Sequence, residues 1–388
     1  MNYILFDDQI VRKSLLPLTF TKPVADIRFG IMTMREKWER FLNATTSSLT
    51  EGYLSKKYPL VKSDVNILIN SSITPSKELM AEIEALKTDQ ALVGNTKVVA
   101  MKLSLESLEN LDSVETEEVK LKKESLCINN LWDLFSILDK ALELDFEMMT
   151  KGRKSQKLSD TNRVIGDYPI FIEEGAVVEL SILNTTNGPI YIGKDAEVME
   201  GCSLRGPLSI GEHSIMKMGA KVYGPSSFGP HCKVGGEVNN SVMLGYSSKG
   251  HDGFLGNSVI GEWCNLGADT NTSNLKNTYD IVRIWNYGQE SFVSTGLQFC
   301  GLVMGDHSKS SINTMFNTGT VVGVNVNIFG TGFPRQFVPS FSWGGPSGYK
   351  KYNFKKSVEV AKRVFARRNM EFDKEEQDIL KTVYDNTL

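Results

Sequence analysis

Residues 249–262 read KGHDGFLGNSVIGE and set His251, one of only four histidines, among glycines and small polar residues. An imidazole with an ordinary pKa of about 6.5 exchanges a proton near neutral pH, so a histidine held in such a stretch can act as a general base. A filler on a solvent-facing corner is the plainer reading, and both stand at this point. Asp269 lies eighteen residues further on, one repeat away if the coil described below is regular, and offers a carboxylate partner. His213, His231 and His307 fall at variable positions of that repeat and read as structural. Cys127, Cys202, Cys232, Cys264 and Cys300 form no CxxC pair and no metal-ligand spacing. They read as small reduced hydrophobes, and no metal site is expected from them.

The element that must hold His251 is announced by a period of six. Ile192, Val198, Leu204, Ile210, Met216, Val222, Phe228 and Val234 follow one another without a break, each trailed four residues later by a mostly small side chain. The beat returns at Phe254, Ile260 and Leu266, and again at Phe316, Val322 and Ile328. An amphipathic helix repeats at three and four, so six excludes it. A short strand and a turn per hexad fit instead, with three hexads closing a triangular coil and coils stacking at ~4.8 Å. The pattern resembles the left-handed parallel β-helix of hexapeptide-repeat acyltransferases. Residues 239–253 and 273–300 leave the beat, the second carrying a hairpin around VRIWNYGQESFV. Loops of this size on a solenoid are expected to serve binding.

Upstream, NYILF and NILIN alternate with helical patterns such as IMTMREKWERFL, which suggests an α/β sheet domain. The expected division is an α/β domain over 1–155, a β-helix over 164–335, and a loop with two helices over 336–388. The polar stretch GRKSQKLSDTN (152–162) predicts a separable β-helix, and Asp373 with Glu376 predicts a capping box. Of the 388 residues, 41% are hydrophobic and 23% charged, an ordinary globular composition. A net charge of −3 argues against a general nucleic-acid binder. MNYILFDDQ lacks the basic start of a signal peptide, and no apolar run approaches the ~20 residues of a membrane span. The cytoplasm is the expected location, with no membrane partner.

LLPLTFTKPVADIRFG, LGADTNTSNLKN, GDHSKSSINTMFNTGTVVG and VPSFSWGG together span nearly the whole chain. They resemble signatures of a divergent branch of the bifunctional N-acetylglucosamine-1-phosphate uridyltransferase/glucosamine-1-phosphate N-acetyltransferase family. The resemblance implies that His251 is the acetyl-transfer base and that Glu237, fourteen residues upstream, orients it. It further implies that Asn265 contacts the sugar phosphate, Ala268 the acetyl-CoA, Asn274 the acetyl or thioester end, and Ser311, within one residue, the CoA. Phe254 stands where the family has a tyrosine and Asn239 where it has a sugar-phosphate lysine, and the family's arginine has no counterpart. Between Lys350 and Arg368, eight basic residues meet one acid, Glu359. They read either as partners for CoA phosphates or as a solvated helix face.

PLTFTKP resembles the PLTxxxPK of sugar nucleotidyltransferases, but the glycine-rich loop that normally precedes it is LFDDQIVRKS here. Lys22 stands near the catalytic lysine, and Asn70 replaces the metal-binding aspartate. Either Asp7, Asp8, Arg12 and Lys22 form a rearranged nucleotide site using Mg2+, or the domain is a structural relic. The resemblance thus implies a homotrimeric transferase of UDP-N-acetylglucosamine and cell-envelope metabolism, taking a sugar phosphate and acetyl-CoA, with a nucleoside triphosphate as a further substrate if the first domain is active. Two alternatives remain: a nucleotidyltransferase whose β-helix only trimerises it, and a non-enzymatic scaffold that binds a sugar nucleotide.

Overall fold

A computed structural model describes residues 2–95 and 97–387. The chain begins with a six-stranded mixed sheet: β1 (Asn2–Phe6), β2 (Thr46–Leu49), β3 (Val65–Asn70), β4 (Gln90–Val93), β5 (Val98–Ser104) and β6 (Glu117–Lys120), in the order β2-β1-β3-β5-β4-β6. β1 runs parallel to both β2 and β3, while β5 is antiparallel to β3 and β4. The central β3 is buried from Asn66 to Asn70, so its sequence is a near-continuous apolar run. Trp38, Leu79 and Ile83 cover one face of the sheet, and Leu103 and Leu108 belong to the core on the other. The helix Met34–Leu42 starts where Thr33 and Glu36 close a reciprocal capping box.

The remainder is dominated by a parallel β-helix with three sheets. Face one runs from Arg163–Ile165 to Phe254–Gly256, face two from Ile170–Ile172 to Phe337–Val338, and face three from Val177–Val178 to Gly348–Lys351. Registers such as Ile190↔Leu208↔Ser226 and Glu197↔Ile215↔Lys233 advance eighteen residues per coil. The eight consecutive apolar residues from Ile192 to Val234 all line the interior. Corners are turned by left-handed residues. Leu180, Gly201, Gly219, Gly236, Asp269 and Asn313 mark the edge between faces three and one. Asp195, His213, His231, Tyr246, Trp263, His307, Asn325 and Phe341 mark the edge between faces two and three. Left-handed backbone is costly for bulky side chains, and along this second edge stacking offsets the cost. His213 lies 4.8 Å from His231, which lies 5.1 Å from Tyr246, and Tyr246 lies 4.2 Å from Trp263. His213, His231 and His307 are thus rungs of a corner ladder.

Two expectations about the solenoid need correction. Leu255, not Phe254, fills the interior of face one, because the corner at 250–253 shifts the beat by one residue. Residues 239–249 stay within the coil as Val242–Gly245 and Ser248–Lys249, so only the 250–253 corner departs from it. The hairpin expected around 282–293 is present as Arg283–Asn286/Ser291–Ser294, and its aromatic side chains pack on both domains. Its Trp285 stacks on Phe337 at 4.3 Å, and the adjoining Tyr287 meets Phe20 of the first domain edge-on at 5.2 Å.

The first domain sits on face two. The column Phe171, Tyr191, Ser209, Ser227, Val242, Val259, Val303, Val321 and Phe337 points outward from the prism. Its apolar members share one core with Ile31, Met34, Leu134, Phe135 and Leu138. Ser227 donates to Gly30 O at 2.5 Å and Arg28 to Leu244 O at 3.1 Å. The polar stretch 152–162 is no free linker either, since Gln156 N donates to Ile172 O at 2.8 Å. At the C-terminus, helices Phe354–Ala366 and Lys374–Asp385 close over the aromatic edge, with Phe365 3.8 Å from Trp263. Asp373 caps the last helix by accepting from Glu376 N at 2.8 Å. The Glu376 side chain pairs with Lys57 of the first domain.

Candidate functional site

Three successive coils pass the edge between faces three and one at residues 250–253, 267–270 and 311–314. Backbone bonds fix their stacking: Asp269 N donates to Asp252 O at 3.0 Å, and Asn313 N to Ala268 O at 2.8 Å. His251 and Ala268 therefore stand in one column that continues to Ile312, rising by the usual ~4.8 Å per coil, while Ser311 stacks on Gly267, one residue before Ala268. His251 is exposed, while Ala268 and Ser311 are half-buried.

Lys249 holds the histidine turn from inside. It takes the interior slot that Val234 fills one coil below, and it is buried. Its ammonium donates to Gly235 O at 2.9 Å and to His251 O at 2.8 Å. Burial pushes this amine down to about 8, against the opposing pull of Asp252 and Asp269. Gly236, at φ 70°, supports the turn from beneath, where a Cβ would come within 2.9 Å of His251 O. Only glycine fits there.

Glu237, Asn239 and Phe254 lie round the corner on face one, in the registers Glu237↔Phe254 and Asn239↔Gly256. Glu237 N donates to Gly253 O at 3.2 Å, which ties the glutamate's strand to the histidine turn. Its carboxylate, however, accepts from the Tyr223 hydroxyl at 2.6 Å. Among the described residues the only histidine–carboxylate ion pair is His213 with Asp195. Within one chain, then, neither Glu237 nor Asp269 makes the orienting contact to His251, and Asp269 instead accepts from Asn271 Nδ2 at 3.1 Å. Asn274 donates to Asn257 Oδ1 at 2.8 Å. A Cβ on Gly256 would lie 2.6 Å from both Asn274 Nδ2 and the Phe254 ring, so these two side chains flank that glycine. Asn265 stands apart from His251, on face three in the column Lys233–Ser248–Asn265–Lys309.

The first domain departs from the nucleotide site its sequence suggests. In open α/β sheets ligands bind beyond the carboxyl ends of the strands, here the region of Asp7 and Asn70. Protein fills it. Arg12 lies 2.8 Å from Asp7 and donates to Thr19 O at 2.5 Å and Lys22 O at 3.2 Å. Asp7 also accepts from Thr50 at 2.6 Å and from Val24 N at 2.9 Å. Asp8 caps the following short helix, and Asn70 donates to Val98 O at 2.9 Å. Lys22 is 4% exposed, with its ammonium 2.7 Å from Glu262 and 2.9 Å from Asp306 of the β-helix. Thr21 donates to Asp306 at 2.6 Å. A phosphate-binding role for Arg12 and Lys22 does not fit this burial, and carboxylates so engaged do not fit a Mg2+ ion. Among the described residues no group of three His, Cys, Asp or Glu could hold a metal.

Burial alone would lower the Lys22 amine, but Asp306 and Glu262 outweigh it and hold it above the ordinary lysine value. Lys22 in turn outweighs burial at Asp306 and keeps that carboxyl below the usual range. The stabilisation from Lys22 is complete below the ordinary lysine pKa and is lost as pH rises through the raised value. That from Asp306 is complete above the ordinary aspartate pKa and is lost as pH falls through the lowered one. The latch therefore holds throughout the neutral range. Lys22→Ala should destabilise the protein by about 3–5 kcal/mol, because it strands buried negative charge. A fall in melting temperature of about 5–10 °C is expected, with partial recovery in Lys22→Met/Asp306→Asn. A melt unchanged in Lys22→Ala would remove the latch from the account.

Sequence reasoning missed Lys249, Lys233 and Lys309. Lys249 carried a signal, a charged residue fifteen positions after Val234 where the coil needs an interior side chain. The other two become visible only when coils separated by an excursion are stacked.

Residues 3–154 match a family profile described as sugar nucleotidyl transferase. The chain is similar to a "Bifunctional protein GlmU" of Methanocaldococcus jannaschii, 34% identical over 23% of this chain and 21% of that one. It is also similar to a bifunctional sugar-1-phosphate nucleotidylyltransferase/acetyltransferase of Sulfurisphaera tokodaii, 31% identical over 49% of this chain and 47% of that one. The chain thus spans between about a fifth and a half of the length of these curated relatives. Among solved structures, LpxA, a UDP-N-acetylglucosamine acyltransferase from Bacteroides fragilis, is 11% identical and covers 60% of this chain and 98% of its own, with a TM-score of 0.27.

Proposed function

We propose that this chain, a divergent relative of the bifunctional sugar-1-phosphate nucleotidylyltransferase/acetyltransferases, transfers an acetyl group from acetyl-CoA to the amine of an amino-sugar phosphate at the β-helix edge that carries His251. One observation carries the reading: His251 and Ala268 stack on one edge, Ser311 follows on the next coil beside Gly267, and Phe254, Asn274 and Glu237 lie on the adjoining face. An extended thioester laid along Ala268 and Ser311 would bring its acyl carbon towards His251.

An amino-sugar amine is protonated at neutral pH and has no lone pair for attack. His251 Nδ1 or Nε2 takes a proton, and the freed amine adds to the thioester carbonyl. The adduct nitrogen loses a further proton as the C–S bond breaks, and the departing CoA thiolate takes the proton held by His251 to leave as the thiol. Lys249 acts as a positioning residue by fixing the carbonyl of His251. Glucosamine-1-phosphate is the acceptor to try first, within UDP-N-acetylglucosamine and cell-envelope metabolism in the cytoplasm. No helix among the described residues is long and apolar enough to cross a membrane. Thiol release from acetyl-CoA across a panel of amino-sugar phosphates tests the reading, and release that no acceptor stimulates would refute it.

The reading includes a homotrimer. Ile165, Leu180, Ile182, Met218, Tyr223, Ile312 and Met315 are exposed along face one and the His251 edge. Apolar surface so concentrated suits association, and a neighbouring copy there would supply the carboxylate partner that His251 does not find among the described residues of its own chain. Sedimentation should give the mass of three chains at micromolar concentration; one or two chains would count against it. We take residues 1–155, 164–335 and 336–388 as the functional division. The family match over residues 3–154 favours nucleotidyl transfer as a second reading. It would require groups other than Arg12 and Lys22, and pyrophosphate release from UTP with N-acetylglucosamine-1-phosphate would reveal it.

A further inference from the structure

A crevice of about 310 Å³ opens between face three and the helix Phe354–Ala366, lined by Lys233, Asn265, Lys309, Arg367 and Arg368. The two lysines and Asn265 are outward residues of three coils in one register column, with Ser248 between them. The arginines follow the helix, which is pinned where Phe365 packs 3.8 Å from Trp263. No aspartate or glutamate lines the crevice. None of its four cations takes part in an ion pair among the described residues, whereas Arg363 on the same helix pairs with Glu359. Among the described residues the Lys309 ammonium donates only to His307 O, at 2.8 Å. Such concentrated positive charge, formed on rigid coils and left uncompensated, is what a phosphate needs from a protein.

The geometry points to a phosphate-binding subsite in this crevice, formed by Lys233, Lys309, Arg367 and Arg368 and filled by the phosphate or diphosphate of a small-molecule substrate. Its place agrees with that use. A Cβ on Gly250, the residue before His251, would lie 3.4 Å from Ser248 Oγ and 3.7 Å from Lys233 Cβ. The crevice therefore adjoins the turn that carries the histidine. These cations stand in a chain that has Asn239 where a sugar-phosphate lysine was expected, so they supply positive charge from another face. Burial lowers the Lys233 amine, and Arg368, Lys217 and Arg367 lower it further. A bound anion would relieve that repulsion.

Two phosphates could fill the crevice: that of an acceptor sugar, or those of the CoA donor. Choosing between them rests on the acyl-transfer reading, whereas the existence of a phosphate site does not. Calorimetric titration of the full chain with inorganic pyrophosphate, glucosamine-1-phosphate and coenzyme A separates these questions. The wild type should bind pyrophosphate, and Arg367→Gln/Arg368→Gln should weaken it by about tenfold or more, with no change in melting temperature. Lys362→Gln/Arg363→Gln removes equal charge from the same helix outside the crevice and should leave the affinity unchanged. A parallel loss for glucosamine-1-phosphate assigns the crevice to the acceptor, and one for coenzyme A to the donor. Absent pyrophosphate binding, or equal losses in the two double variants, would overturn the proposal. Pyrophosphate binding that persists in a protein without thiol release would refute the acyl-transfer reading alone.

Discussion

A β-helix expressed without residues 1–155 is expected to aggregate, or to elute as large assemblies with no cooperative melt. Phe171, Tyr191, Val242, Leu244, Val259, Val303 and Val321 point away from the prism interior and are each no more than 5% exposed, in a core they share with the first domain and with Val282 and Ile284 of the hairpin segment. At about 1.5–3 kcal/mol per buried side chain, their burial represents on the order of 10–20 kcal/mol, of which the first domain's share is lost on truncation. Truncation would bare a continuous apolar column on a soluble surface and strand Asp306 without Lys22. Size-exclusion chromatography and a thermal melt of residues 156–388 check this, beside the same fragment coexpressed with residues 1–155. A monodisperse fragment melting within about 5 °C of the intact chain would show that the docking contributes little.

His251→Ala is expected to lower acetyl transfer by roughly 10²–10⁴-fold, the range of a positioned acid–base group, with the melting temperature nearly unchanged. Stability should survive because the side chain is exposed and fills no interior slot, so its loss opens no cavity. Glu237→Gln should cost less, since Glu237 is held by Tyr223 and moves no proton in this scheme. If a neighbouring copy in the trimer lets Glu237 reach His251, the two losses will not add, because both would act through one imidazole. Full activity in His251→Ala would return the histidine to a corner filler.

The period of six made the β-helix legible because each hexad repeats the same demand, one large residue inside and a small one at the corner. Eight repeats from Ile192 to Val234 left no competing pattern. The beat misled at Phe254, where a corner of altered length moved the interior slot to Leu255 and only stacking against Val238 reveals the change. Lys22 was misread for a different reason. Its neighbours PLTFTKP suggested a nucleotide, whereas its partners Glu262 and Asp306 lie some 240–284 residues away and belong to another domain. Sequence spacing carries no information about such a contact. The hairpin at 283–294 was visible as a hairpin, but what it packs on was not, since Phe20 and Phe337 come from opposite ends of the chain.

The central claim is that the edge carrying His251 moves an acetyl group onto an amine. Incubating the intact protein with glucosamine-1-phosphate and acetyl-CoA labelled in the acetyl carbon, then analysing the sugar by mass spectrometry, tests it most directly. Label bound to the acceptor nitrogen with the wild type, and reduced to near background with His251→Ala, is the predicted result. Label that stays on CoA or appears only as free acetate with the wild type, or that reaches the amine equally well without His251, would contradict the account.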